Sequence, residues 1–238
     1  MMRFLFFATL AVWCAAALMP ERIKIWQTKN LTYDVVATDE LLSAQRAYDK
    51  LSQLSDSDDG KARAALCLAK AFWIQRKYNE AYGRFLKIAQ AREPLNLEYD
   101  KLLIEARLGA AGVLRDCATY HGALKMYEEV LAYDRRRLAT DAPGIARDLN
   151  NIAFVHYLAS MYGEDVSAKR EGLKSAEKMF LDALKIERAR ASSTAAEART
   201  LQMLSYVYKQ QGRREEADMM LNQAREIEAR LQRPCREP

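Results

Sequence analysis

Small residues recur along this chain at a spacing that indicates paired α-helices. Ala69 and Ala81 are 12 residues apart, and Ala111 and Ala123 repeat that interval. Corresponding residues of the two pairs are 42 residues apart, as in the strings YNEAYGRFLKI around Ala81 and YHGALKMYEEV around Ala123. Self-similarity at a fixed period of this length is typical of a repeat array in which each unit is a helical hairpin.

The hydrophobic pattern extends this array to four two-helix units. A small residue on each helix marks the place where the two helices of a hairpin cross closely, because a larger side chain there would push them apart. Aromatic and aliphatic residues around it fill the space between neighbouring hairpins. The positions around the small residues are Leu68, Phe72, Tyr78, Phe85 and Ile88 in the first unit, Ala110, Leu114, Tyr120, Tyr127 and Val130 in the second, Ile152, His156, Phe180 and Ala183 in the third, and Leu204, Tyr208, Leu221 and Ala224 in the fourth.

One interval breaks the period. Ala153 and Ala176 are 23 residues apart, 11 more than the corresponding pairs of the first two units. Eleven residues make about three helical turns, so an insertion of this length preserves the phase of a helix. We therefore predict an extended second helix from Asp165 to Arg190 that projects about three turns beyond its neighbours. The alternative is a loop insertion around 161–164, which Gly172 favours because glycine weakens a helix interior.

A half-repeat precedes the four units. Leu41, Ala44, Tyr48 and Leu51 fall on one face at helical spacing, and Asp39 is a candidate N-cap. We interpret 39–60 as a capping helix, 61–232 as the repeat array and 233–238 as a tail.

The composition favours an all-α fold. Half of the residues are hydrophobic and 29% are charged, whereas the 238 residues include only 9 glycines and 5 prolines. No stretch shows the alternation typical of a strand. The net charge of +5 is mildly basic, and its positive residues are interleaved with negative ones, as in KIERARASSTAAEAR. This interleaving favours solvated helix faces over a nucleic-acid interface, so we expect no nucleic-acid partner.

The N-terminal 19 residues form a separate hydrophobic segment. Arg3 precedes an apolar run from Phe4 to Met19, and the small residues at 15–17 offer a signal-peptide cleavage site. As a helix the 16-residue run would span about 24 Å, short of a hydrocarbon core of about 30 Å. The alternatives to a cleaved signal are an uncleaved anchor that ends at Pro20, which would associate residues 4–19 with a membrane, and a buried core helix. We expect an exported or membrane-anchored protein in which 20–38 is a tether.

The repeat positions resemble the tetratricopeptide repeat pattern W-x2-L-G-x2-Y…A-x3-F over about residues 62–230. The leading tryptophan is absent, and His156 replaces the usual first-helix aromatic residue in the third unit. The 42-residue period and the stretch TDAPGIARDLNNIAFVHY (140–157) are similar to the repeats of kinesin light chains and their bacterial relatives. The resemblance implies a tetratricopeptide-repeat solenoid of about four helix-turn-helix units, with the N-terminal capping helix and the hydrophobic signal or anchor added to it.

The resemblance also implies where a ligand binds, since the first helices of such arrays line a concave groove. Six residues before the small residue of each first helix stand Arg63, Glu105, Arg147 and Arg199, an arginine ladder that is broken in the second unit. Guanidinium groups bind carboxylates bidentately, which suits an extended peptide that carries acidic groups.

Asparagines add a second feature to the predicted groove. Asn150 and Asn151 match the L-N-N motif, whose asparagine binds the ligand main chain in the related family. The alternative is that the polar residues only solvate the groove or pair with Glu105 and Asp148. We expect Trp73, Phe154 and Tyr157 at the groove or its edge. The predicted peptide-binding residues are Arg63, Lys70, Arg147, Asn150, Asn151, Arg199, Gln202 and Tyr206.

The chain lacks the familiar sequence motifs of catalysis. It contains no GxSxG, P-loop, HExxH or GxGxxG pattern, and its two histidines, His121 and His156, are predicted at a turn and on a helix face. Its four cysteines include no CxxC, so they predict neither a disulfide framework nor a zinc site. We expect no enzymatic activity, no cofactor and no metal.

These observations predict a non-enzymatic scaffold that binds a peptide segment or a partner subunit in the concave groove. Two alternatives stay open. The protein could be an assembly factor in a membrane complex, or it could self-associate through an apolar face at the end of the array formed by Met219, Met220 and Ile227.

Overall fold

A computed structural model describes residues 41–51, 53, 58–92, 100–162, 166–190 and 194–232. The predictions for the hydrophobic segment, for the tether, for the Asp39 cap and for the tail lie outside these residues. Within them, no helix has the length and the apolar character needed to cross a membrane.

The described residues form helices joined by turns, and none of them is in a strand. Residues 41–50 form the described part of α1. The following eight helices make four hairpins, which we call units 1 to 4. They are α2 (Asp59–Ile74) and α3 (Tyr78–Arg92) in unit 1, α4 (Lys101–Asp116) and α5 (Tyr120–Arg137) in unit 2, α6 (Pro143–Tyr162) and α7 (Val166–Arg188) in unit 3, and α8 (Ala195–Gln210) and α9 (Arg214–Leu231) in unit 4.

Side-chain caps start three of the four first helices. The Asp58 carboxylate accepts hydrogen bonds from the backbone N–H groups at the start of α2, and the Asp100 carboxylate does the same for α4. At the start of α8, the Thr194 hydroxyl accepts from the Glu197 N–H at 3.2 Å. Each cap satisfies donors that the helix itself leaves unpaired, and so it fixes where the unit begins.

Three residues separate the two helices of every hairpin. In units 1, 2 and 4 the middle turn residue has a positive φ, at Arg76, Ala118 and Gly212. The third turn residue donates its N–H to a first-helix carbonyl five residues earlier, as Thr119 does to Leu114 at 2.8 Å. This bond and the left-handed residue end the first helix and reverse the chain.

The small residues lie where the hairpin helices cross. The predicted crossing residues are buried in every unit, including Ser205, which takes the place of alanine in α8. The larger residues around them form the core, of which Phe85 and Phe180 are the largest fully buried side chains. Leu221 and five other predicted positions are only half-buried, namely Phe72, Tyr78, Leu114, Tyr120 and His156. Leu221 lies on the last described helix, which no further unit covers within the described chain.

Both helices of unit 3 extend further toward the turn than those of the other units, while the number of residues between the two helices stays at three. Relative to their small residues, α6 ends four residues later than the other first helices, and α7 begins seven residues earlier than the other second helices. The observed α7, Val166–Arg188, lies within the predicted Asp165–Arg190 segment. The predicted three-turn projection of α7 alone is therefore wrong. About two turns are added to α7 and about one to α6. The alternative of a loop insertion is wrong at Met161 and Tyr162, which are helical.

Gly172 lies inside the lengthened hairpin without ending its helix. A Cβ atom at this position would lie 2.1 Å from Ser160 Oγ and 3.4 Å from the His156 carbonyl oxygen. The absence of a side chain therefore lets α7 approach α6 closely, which offsets the lower helix propensity of glycine.

Candidate functional site

The first helices of units 1 and 2 are in contact with each other, and so are the first helices of units 3 and 4. In the described chain, α2 contacts α4 and α6 contacts α8, whereas the second helices of different units have no comparable contact. Within these two pairs of units, the first helices therefore lie closer together than the second helices. We call the surface formed by their solvent-facing side chains the inner face.

Aromatic rings and an arginine occupy the middle of the inner face. Trp73 of α2 lies against Gly112 of α4, where a Cβ atom would be 2.2 Å from the indole ring. The Trp73 indole N–H donates to Asp116 Oδ2 at 2.8 Å. The Arg115 guanidinium carbon lies 5.9 Å from the centre of the Trp73 ring and 5.5 Å from that of the Phe154 ring of α6. Arg115 thus links three units through cation–π contacts.

The aromatic row continues on α6. The Phe154 and Tyr157 rings stack with centroids 6.4 Å apart and an interplanar angle of 14°. Burial raises the pKa of Tyr157 above its usual range, and the neighbouring Tyr206 phenol of α8 adds to the rise. Tyr157 therefore stays a neutral hydrogen-bonding group near pH 7.

Five of the eight predicted binding residues are accessible on the first helices. Arg63 is exposed and has no polar contact in the described chain, and Asn151 is half-buried without one. Lys70 forms an exposed ion pair of 3.1 Å with Glu105 of α4. Arg199 is exposed and donates to the Ala195 carbonyl, and Tyr206 is exposed. These side chains can meet a ligand without a change in the packing of the helices.

Arg147 instead joins units 2 and 3. Its guanidinium lies 2.9 Å from Asp134 Oδ2 of α5 and 2.7 Å from Asp148 Oδ1 of α6. Both carboxyl groups are fully buried. Burial raises the pKa of Asp148 to about 7 and raises the pKa of Asp134 above its usual value, and the Arg147 charge only partly opposes this. Arg147 compensates buried charge at this junction, so its removal would affect packing as well as any ligand.

Asn150 also points its amide nitrogen into the protein. Asn150 Nδ2 donates to Glu187 Oε1 of α7 at 3.1 Å and to Thr200 Oγ1 of α8 at 2.8 Å. The Asn150 Oδ1 and Glu187 Oε2 atoms are buried without a hydrogen-bond partner. Burial raises the pKa of Glu187, while the hydrogen bonds from Thr200 and Asn150 lower it. Asn151 therefore has the accessible amide of the predicted pair.

Gln202 repeats this arrangement in unit 4. Its Nε2 donates to Glu228 Oε1 of α9 at 2.6 Å. Glu187 and Glu228 occupy the same register, eleven residues after Ala176 and Ala217, and Asp134 stands eleven residues after Ala123. The acidic residues at this position in units 2, 3 and 4 thus hold polar side chains of the first helices of units 3 and 4.

Arg115 and Asp116 are inner-face residues that the sequence prediction missed. The sequence prediction considered the arginines that stand six residues before each small residue. Arg115 was missed because it stands four residues after Ala111. Trp73 has the same offset from Ala69, so a comparison of the two units at that register could have identified Arg115.

The described residues contain no cluster of three or more histidine, cysteine, aspartate or glutamate side chains that could hold a metal ion. Cys67 and Cys117 are exposed free thiols. The chemistry of the inner face consists of planar rings, cations and amides. Groups of these kinds can contact a polypeptide by stacking, charge pairing and main-chain hydrogen bonds.

No protein-family model matches the sequence, and the search of curated proteins found no match. Solved structures with a similar fold include the nearly identical TPR-like repeats of a kinesin light chain-like protein from Podosopora anserina. At 15% identity, the match has a TM-score of 0.62 and covers 91% of this chain and 100% of that one.

Two further structures share the fold. A Rap protein complexed with Competence and Sporulation Factor has a TM-score of 0.65 at 17% identity, with 83% of this chain and 51% of that chain covered. MamA from Desulfovibrio magneticus RS-1 has a TM-score of 0.54 at 16% identity, with 86% and 98% covered. The chain therefore has the all-α fold of the tetratricopeptide-type repeat proteins, including those with kinesin light chain-like repeats, as its 42-residue period predicts.

Proposed function

We propose that this protein is a non-enzymatic scaffold that binds an extended peptide segment of a protein partner along the inner face. The observation that carries the proposal is the row formed by Trp73, Arg115 and Phe154, which crosses three units. Rings and a guanidinium offer contact area to any polypeptide, and their fixed positions reduce the entropy lost on binding.

The accessible polar residues favour a ligand with acidic groups. Arg63 and Arg199 lie on the first helices of units 1 and 4, and both are exposed. Each can pair with a carboxylate of a bound peptide. Asn151 lies between them and can bond a peptide main chain. The Rap structure, which shares the fold, contains the bound Competence and Sporulation Factor, and this supports a binding role for such an array.

The test replaces accessible residues and leaves the junction residues intact. Peptides that bind the full chain would be selected from a random peptide library, and their Kd values would be measured by fluorescence polarisation. We expect the triple variant Arg63→Ala, Asn151→Ala and Tyr206→Ala to weaken binding by about tenfold or more.

A matched triple variant of the second helices provides the control. Lys125, Asn222 and Leu181 are exposed on α5, α9 and α7, and their replacement with alanine should change Kd by less than about twofold. Circular dichroism would verify that both triple variants keep the helix content of the parent. Equal losses in the two variants would contradict binding at the inner face.

Self-association receives less support from the last helix. Met219 is 50% exposed on α9, but Ile227 is buried and Met220 is half-buried. The three residues of the predicted self-association face therefore do not form one exposed apolar surface. A sedimentation coefficient that rises with protein concentration would favour this second function.

We further propose that residues 1–19 direct the array to the far side of a membrane or hold it at the membrane surface. The support is the order of charged, apolar and small residues in the sequence. The mass of the native protein tests the proposal, since cleavage after the small residues at 15–17 removes the segment and an anchor retains it. A native protein found in the cytosol with the segment attached would contradict it.

A further inference from the structure

Besides the inner face, the structure has an open cleft at unit 3, where the 42-residue period of the array is interrupted. The N-terminal turns of α7 extend past the turn between α8 and α9, and an open cleft of about 550 Å³ lies between them. This volume is in the range of ordinary ligand sites. Its lining residues are Val166, Lys169, Arg170, Leu173, Lys174, Glu177, Gln210, Gln211 and Arg213, and we call it the α7 cleft.

The α7 cleft has an excess of positive charge. Four of its lining residues are cations and only Glu177 is an acid, although Lys174 pairs with Glu171 at 2.9 Å and Arg213 also pairs with Glu216. Glu177 is already engaged, since it accepts from Gln211 Nε2 at 2.8 Å and pairs with Arg213 at 2.7 Å. Lys169 and Arg170 have no ion-pair partner within the described chain. Two cations of the cleft are therefore available to an anion without the loss of a contact within the described chain.

The lining also includes an apolar surface next to these charges. Val166 is 78% exposed at the first residue of α7, and the buried Leu173 lies two turns further along the helix. The network of Glu177, Gln211 and Arg213 fixes the opposite wall, because it ties α7 to the turn that precedes α9. A ligand with an apolar group beside carboxylates would match both parts of the lining.

We propose that the α7 cleft binds a short acidic segment of a protein partner. Glutamate or aspartate carboxylates pair with Lys169 and Arg170, and an apolar side chain of the segment contacts Val166. The lining of the α7 cleft comes from the N-terminal half of α7 and from the α8–α9 turn. It includes none of the inner-face residues named above. A nucleic acid matches the charges, but its phosphate backbone offers nothing to the exposed valine.

The cleft depends on the lengthened hairpin. The other second helices begin three residues before their small residue, whereas α7 begins ten residues before Ala176. Val166, Lys169 and Arg170 all belong to the added residues, so an array with a regular period would not present them beside the next turn.

A charge-reversal pair on one helix tests the proposal with the full-length chain. The probe is a fluorescein-labelled peptide of sequence Glu-Glu-Leu-Glu-Glu-Leu-Glu-Glu, and its binding is measured by fluorescence polarisation at two salt concentrations. We expect the variant Lys169→Glu with Arg170→Glu to bind about tenfold more weakly or worse. The matched control is Lys178→Glu with Lys185→Glu, exposed on α7 outside the cleft, and it should change the affinity by less than about twofold.

Two further measurements separate a specific site from general charge attraction. Val166→Ser should weaken binding of the peptide by about threefold, whereas a probe with serine in place of leucine should bind the parent and Val166→Ser equally. Equal losses in the two charge-reversal variants would overturn the proposal. Tighter binding of a single-stranded 12-nucleotide DNA than of the peptide would also overturn it, in favour of a nucleic-acid site. Because the acidic probe can also meet the inner face, the charge-reversal pair is measured again in the background of the inner-face triple variant. It should still weaken binding by about tenfold there, so failure of one proposal is distinguishable from failure of the other.

Discussion

Units 2 and 3 are neighbouring hairpins that share the same helix crossing and differ in the lengths of their helices. In unit 2, α4 has 16 residues and α5 has 18, whereas in unit 3, α6 has 20 and α7 has 23. Both units place a fully buried alanine on each helix at the crossing, and both have three residues between the helices. The added residues therefore lengthen the hairpin at its turn end and leave its attachment to the array unchanged.

The comparison shows why an 11-residue insertion is tolerated. The four residues added to α6 and the seven added to α7 make about one and about two helical turns, so each addition keeps the buried positions on the same face of its helix. The added part of unit 3 then needs its own packing, which Gly172 and Ser160 supply by close approach. The α7 cleft lies between the added N-terminal turns of α7 and the α8–α9 turn.

The largest expected effect concerns the buried phenylalanine that units 1 and 3 share. It tests whether this side chain contributes the same free energy of unfolding in a regular hairpin and in a lengthened one. Phe85 of unit 1 and Phe180 of unit 3 stand four residues after the small residue of their helix, and both are fully buried. We expect Phe85→Ala and Phe180→Ala each to lower the free energy of unfolding by about 3–5 kcal/mol. Urea denaturation monitored by circular dichroism measures both. A much smaller loss for Phe180→Ala would show that the lengthened hairpin is packed differently.

A second variant tests the packing that unit 3 adds. Gly172→Leu should destabilise the protein by about 1–3 kcal/mol, because even a Cβ atom there would lie 2.1 Å from Ser160 Oγ. Gly83→Leu is the control, since Gly83 lies on the exposed side of α3 and a Cβ atom would have no neighbour within 4 Å. The control should be neutral or stabilising, as leucine favours a helix more than glycine does. The same urea titration applies, and a neutral Gly172→Leu would refute the close approach of α6 and α7.

The junction between units 2 and 3 predicts a dependence on pH. Burial raises the pKa of Asp148 to about 7, well above its value in an unfolded chain. Between about pH 4 and pH 7 the folded state therefore retains a proton that the unfolded state has lost, so the stability that depends on Asp148 should fall as the pH rises from about 4 to 7 and level off above 7. Asp148→Asn has no proton to lose in this range and should flatten the dependence, by about 2–3 kcal/mol between pH 5 and 8. Unfolding curves across this range measure the effect. An unchanged slope in Asp148→Asn would place the titrating group elsewhere.

The smallest effect concerns the turns that the hairpins share. Ala118 and Gly212 occupy the same left-handed position in units 2 and 4. Ala118→Gly should stabilise the protein and Gly212→Ala should destabilise it, each by about 0.5–1 kcal/mol, because only glycine adopts this conformation without strain. Thermal unfolding of the two variants measures the difference. Shifts of the same sign would show that the turns are not equivalent.

Much of the fold can be predicted from local patterns in the sequence. The interval from Ala111 to Ala123 contains a hairpin with its turn, and the longer interval from Ala153 to Ala176 reveals the insertion. The caps Asp58 and Asp100 act on backbone groups two and three residues away. Each of these features depends on residues close together in the chain, which is the range that periodicity describes.

The candidate site could be predicted only in part. The first helices that carry it follow from the repeat, and the exposed Arg63, Arg199 and Tyr206 lie there as expected. Periodicity places a residue on a face but does not give the length of its side chain or the partner that it meets. For this reason the ladder included Arg147, which pairs with buried carboxylates, and omitted Arg115, which lies between two rings.

The sequence by itself determined the helical repeat, the register of the small residues and the place where the period fails. Only the tertiary structure decided how the 11 added residues divide between α6 and α7, because helix ends depend on packing between hairpins. It also decided that Asn150 bonds inward to Thr200, which is 50 residues away in the chain. Contacts at such separations depend on how the units stack, and the pattern along the chain does not specify them.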